Sequence, residues 1–112
     1  MRTARRHDNT HLDFVRGLQC CVCGDNTATE AAHIRYSDSR IGKVNPGVGQ
    51  KPHDCYTVPL CGRHHRDQHQ FNERIWWDGK ADPVLIALAL FSVSGDHAAG
   101  TKIVEAALRI QR

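Results

Sequence analysis

"PLCGRHHRDQH", Pro59 to His69, places one cysteine and three histidines in the span 61–69. How these metal-capable side chains are shared out decides how the chain folds. Upstream, Cys20-x2-Cys23 offers a half-site that matches Cys61-x2-His64, with residues 24–60 between them. In each half a tight turn aims two soft or borderline ligands at one ion. Two halves complete the tetrahedral shell that Zn²⁺ accepts in structural sites. Cys21 could replace Cys20, and buried thiols without metal are the alternative. The gap is far longer than in a DNA-reading finger, whose halves lie about a dozen residues apart.

If His64 serves the zinc, His65 and His69 remain. They stand at i and i+4 of a helix expected over about Gly62–Trp77, hence on one face, with imidazoles able to converge. His64 lies about 100° around the axis from His65, so one helix can serve two ions. Glu73, four residues further, continues the stripe as an acceptor behind the ligands. An exposed polar helix face is the plainer alternative for the pair.

The rest of the chain frames this run. At 112 residues it is one domain by length, 1–112, and a chain so short often needs a metal or disulfide staple. Five cysteines, three of them at metal-ligand spacings, favour metal over disulfides in a reducing cytosol. A net charge of +3 suits a polyanionic partner without requiring one. "MRTARRHD" lacks the apolar stretch of a secretory signal. "VLIALALFSV", 84–93, is too short to span a bilayer. A cytoplasmic protein with no membrane partner is expected.

A basic arm (1–9) leads into an amphipathic segment, "THLDFVRGL", with Thr10 as its expected cap and Leu12, Phe14, Val15 and Leu18 as its apolar positions. "ATEAAHIRY" and "CYTVPL" read as strands on either side of a long Gly/Pro-rich loop over 37–54. Asp82-Pro83 opens one helix and Thr101 is the expected cap of another, which together occupy 82–111. These tail helices either complete the core or support self-association as a homodimer. Trp76–Trp77 suits packing on "LIALALF" better than base stacking. The order is helix, two short strands across a long loop, then helices: an α+β chain.

C-x2-C, a histidine in "AHIR", a Gly-rich loop, "VPLC" and C-x2-H-H-x3-H on a helix together resemble the HNH (ββα-metal) nuclease superfamily. The small HNH proteins of phages and prophages with "AHIR" and "VPLCxxHH" signatures are the more similar members. The resemblance covers about 18–77. It implies a zinc-stapled ββα-metal core: two short antiparallel strands, a long loop and a metal-binding helix. It also implies a DNA endonuclease in which His33 is the general base. His65 and His69 would hold a divalent cation (Mg²⁺, Mn²⁺, Ni²⁺ or Zn²⁺), and Arg35, Lys43 and Lys51 would grip flanking phosphates.

Two positions depart from the family pattern. Many members carry Asp or His immediately before the base, where this chain has Ala32, and Tyr56 replaces the middle Asn. The cation then recruits Asp54, Asp38 or Glu73, or keeps only two protein ligands. The alternative function is a zinc-stabilised DNA-binding or assembly module that cuts weakly or not at all. A thiol hydrolase using Cys55 lacks a histidine at a recognisable spacing.

Overall fold

The computed structural model describes residues 8–40 and 53–111. Lys43, Lys51, most of the basic arm and the centre of the long loop lie outside these residues. The elements run α1 (Asn9–Arg16), β1 (Thr29–His33), β2 (Thr57–Cys61), α2 (Gly62–Gln70), α3 (Glu73–Trp77), α4 (Pro83–Ser92) and α5 (His97–Ile110). The expected α+β order is thus present: two antiparallel strands with helices on either side in sequence. Among the described residues no helix is long and apolar enough to cross a membrane.

The strand register pairs Thr29 with Cys61 and His33 with Thr57. Ile34 donates its amide to Tyr56, so the hydrogen-bonded pairs continue through Ala32–Val58 and Glu30–Leu60. Ala31–Pro59 falls between them, and Pro59 turns its missing N–H away from the partner strand. Its carbonyl, facing outward, accepts the amide of Cys21 at 2.9 Å and so ties the first cysteine turn to β2.

Leu18, Ile34, Val58, Leu60, Trp77, Val84, Leu90 and Val104 form the centre of the core. α4 docks with Val84, Ile86, Ala87 and Leu90 buried, and its start follows the expected pattern of Asp82 cap and Pro83 in the first turn. Trp76 and Trp77 are both buried, consistent with packing. Close approach of α5 to α1 depends on Gly100, where a Cβ would sit 2.8 Å from Phe14 Cζ and 3.1 Å from both Leu18 methyls.

Three helix boundaries differ from expectation. Asp8, not Thr10, caps α1, its carboxylate accepting the His11 amide at 3.0 Å. Asp96, not Thr101, caps α5, accepting the Ala99 amide at 3.1 Å, so that helix begins a turn early. A carboxylate at either position also meets the positive end of the helix dipole. The helix expected over 62–77 is two helices. Phe71 is extended (φ −121°, ψ 172°) and Asn72 restarts the chain as the cap of α3, accepting the Ile75 amide.

His11, on α1, is fully buried between Phe14 and Phe91, with Nδ1 2.7 Å from Ser94 Oγ. Burial lowers its pKa against the opposing pull of Asp8 and Asp54. A base with a depressed folded pKa binds fewer protons folded than unfolded. The resulting stability is therefore present above the unfolded pKa of about 6.5 and is lost as pH falls through the lower folded value. Denaturant titrations at pH 7.5 and 5.5 should show a smaller acid-induced loss for His11→Gln than for the parent chain. Equal losses would remove His11 as a contributor.

Candidate metal centre

The turn after Leu18 is closed by two backbone bonds, Cys20 N–H to Asp25 O and Gly24 N–H to Cys20 O, both 2.8 Å. Gly24 sits at φ +80°, a left-handed conformation that a side chain would strain. The turn points Cys20 and Cys23 toward the junction of β2 and α2. There Cys61 ends the strand and occupies the cap position of the helix, and His64 follows one turn on.

The four ligand atoms of Cys20, Cys23, Cys61 and His64 lie within 4.8 Å of one another. Cys23 Sγ is 3.9 Å from Cys61 Sγ, and His64 Nδ1 is 3.3 Å from Cys61 Sγ and 3.7 Å from Cys20 Sγ. A tetrahedral ion with Zn–S and Zn–N bonds of ordinary length has edges of about 3.8 Å between sulfurs and about 3.6 Å between sulfur and nitrogen. The cluster therefore fits a metal ion such as zinc. Burial, with Arg63 adding to it, lowers the His64 pKa and favours the neutral imidazole that a metal takes. Cys21 is no substitute for Cys20: it is fully buried, outside the ligand group, and burial pushes its thiol pKa up.

A second set of imidazoles stands on α2 outside this ligand group. His65 Nε2 and His69 Nε2 are 3.2 Å apart, with ring centroids at 4.9 Å. Two nitrogens bound to one ion at about 2.0–2.1 Å would be about 2.9 Å apart at a right angle and about 3.4 Å apart at a tetrahedral one. The observed spacing falls between these. Burial, then the charge of His65 and that of Arg35, lowers the His69 pKa. Behind the pair, Glu30 Oε1 lies 2.6 Å from His65 Nδ1.

β1 thus reaches α2 from both sides of His33. Glu30 touches His65, and Arg35 lies near enough to act electrostatically on His69. His33 itself donates Nε2–H to Asp54 Oδ1 at 2.8 Å and keeps about a fifth of its side chain exposed. Asp54 is fully buried, and its other oxygen accepts the Asp8 amide at 2.7 Å, at the N-terminal end of α1.

The residues expected to make up for Ala32 are engaged elsewhere. Ala32 is fully buried opposite Val58. Asp38 is paired with Arg40, and Asp54 holds His33. Glu73 does not continue the His65–His69 stripe, because the helix breaks before it. Its carboxylate instead accepts the Arg35 amide at 3.0 Å and the Gln68 amide group at 2.8 Å. Glu30 was not among the residues expected from the sequence. No local pattern in "TEAAH" marks it; the strand register, which pairs Glu30 with the residue preceding Cys61, is what brings it to α2.

No solved structure matches the chain. The uncharacterized protein YdfU of Escherichia coli (strain K12) is 34% identical over 56 residues, covering 50% of this chain and 14% of the relative. The chain therefore spans a small fraction of the curated relative's length. A family model described as "Protein of unknown function (DUF968)" matches residues 2–85. That range contains the whole Cys₃His cluster together with Glu30, His33, Asp54, His65 and His69, and the chain belongs to this family.

Proposed function

We propose that the protein is a metal-dependent endonuclease of the HNH (ββα-metal) type that hydrolyses phosphodiester bonds in DNA. The observation carrying the reading is the division of ligands on α2. Beside a Cys₃His cluster, a separate pair of imidazoles converges to 3.2 Å, and the adjoining strand carries a histidine held by a buried carboxylate. In this reading β1, the long loop, β2 and α2 are the ββα-metal core, and the Cys₃His site holds structural zinc.

His65 and His69 would hold the working divalent cation (Mg²⁺, Mn²⁺, Ni²⁺ or Zn²⁺), which when bound polarises the phosphoryl oxygen and stabilises the leaving alkoxide. His33 acts as general base. Because its Nε2–H is given to Asp54, Nδ1 carries the lone pair that accepts the proton of the attacking water. Arg35 supplies a charge for the flanking phosphate, with Lys43 and Lys51 extending the grip. The net charge of +3 is compatible with a DNA partner.

One observation favours the non-cutting alternative. Ala32 faces the core, so no acidic ligand enters the cation site from that position. Incubating supercoiled plasmid with the zinc-loaded protein and each of the four cations separates the two readings. Nicking or linearisation with at least one cation, abolished in His65→Ala/His69→Ala, is the expected result. Retarded plasmid that stays intact under every cation would instead identify a DNA-binding module.

A further inference from the structure

We infer that Glu30 is a positioning residue for the cation site, fixing the His65 tautomer that turns a nitrogen lone pair toward His69. The inference rests on the cation site proposed above for His65 and His69. A neutral imidazole carries one N–H and one lone pair, and which nitrogen bears which is set by its partners. Glu30 Oε1, 2.6 Å from His65 Nδ1, accepts the Nδ1–H of that ring. Nε2 is then the lone-pair nitrogen, and Nε2 is the atom that faces His69 Nε2 at 3.2 Å.

The strand register brings the carboxylate there. It sets Glu30 opposite Leu60, one residue before the cysteine that opens α2. The carboxylate lies beside Gly62, the first residue of that helix: a Cβ there would be in ordinary contact with Glu30 Oε2, at 3.5 Å. The acid thus reaches across the first turn of α2 to the ring one residue beyond His64. A carboxylate behind a ligating histidine orients the ring and raises its basicity, and losing such a partner typically weakens metal binding about 10–100-fold. The acid missing at Ala32 is therefore replaced by one that acts through His65.

Calorimetric titration of the zinc-loaded full chain with Ni²⁺ tests this. The parent chain should take up one Ni²⁺ beyond its structural zinc. Glu30→Ala should bind it about 10–100-fold more weakly while its melting temperature stays unchanged. Glu30→Gln, which keeps an acceptor oxygen but not the charge, should fall between the two. In a His65→Ala background, Glu30→Ala should cause no further loss. Glu30→Ala that binds Ni²⁺ as tightly as the parent would overturn the inference. So would a Glu30→Ala loss that persists in full without His65, and either result would leave the endonuclease reading standing. A parent chain that takes up no Ni²⁺ beyond its zinc would remove both the inference and the cation site it depends on.

Discussion

Cys61→Ser is expected to abolish cooperative folding, and with it zinc retention. Cys61 ends β2, opens α2 and supplies a sulfur 3.9 Å from Cys23 and 3.3 Å from His64 Nδ1. Serine keeps the size but replaces a soft thiolate with a hydroxyl that stays protonated at neutral pH. Structural zinc contributes an apparent 10–16 kcal/mol or so in small domains at pH 7, and that energy is folding energy where the site forms only on folding. Domains of this size are stable by about 5–15 kcal/mol in total, so losing most of the metal term exceeds the whole margin. Elemental analysis should find one zinc per chain in the dialysed parent and none in the variant, whose thermal melt should lack a transition. A Cys61→Ser protein melting at the parent temperature would sink the assignment.

Cys21→Ser is the internal comparison. Its side chain is equally buried but lies outside the ligand group, so the variant should keep its zinc. Its loss should be limited to about 1–3 kcal/mol for a hydroxyl left without a good partner.

The contrast between Cys20 and Cys21 shows which parts of the fold can be read from sequence. C-x2-C and C-x2-H are short-range patterns, and each needs only a local turn to aim two ligands. Their union across residues 24–60 follows once both halves are recognised, because each lacks a complete shell alone. The strands were legible for a similar reason, since "VPLC" and "AAHI" carry their own composition. Helix starts were harder where several cap-capable residues follow one another. "HDNTH" offers Asp8, Asn9 and Thr10, and the choice of Asp8 is made partly by Asp54, which accepts the Asp8 amide from across the long loop.

Glu30 and Glu73 show the limit more sharply. Counting i+4 along one continuous helix puts Glu73 behind His69 and gives Glu30 no role. Asn72 restarts the helix, Glu73 turns to Arg35 and Gln68, and the strand register delivers Glu30 to His65. Nothing local to "TEAAH" specifies that pairing. The register follows from burying Ala32 and Ile34 with Val58 and Leu60, a long-range condition that periodicity leaves open.

On the endonuclease reading, His33→Ala should lower the single-turnover cleavage rate about 10²–10⁴-fold, the range that a positioned general base contributes. The side chain is partly exposed at the end of β1, so its removal should leave zinc content and DNA retention intact. Asp54→Asn should follow it in direction. The carboxylate fixes His33 through Nε2–H, and an amide in its place can offer N–H to the ring and invert the tautomer, placing the proton where the lone pair is needed. Asp54 is also fully buried and bonded to the start of α1, so this variant should lose stability as well as rate. Rates must therefore be compared well below its melting temperature. The decisive measurement is the double variant. If Asp54 acts on the chemistry only through His33, then Asp54→Asn in a His33→Ala background should slow cleavage no further. Independent, multiplying losses would mean that Asp54 serves the reaction by another route. A His33→Ala enzyme cutting at the parent rate would remove the strand histidine from the mechanism and leave the α2 pair to account for the reaction.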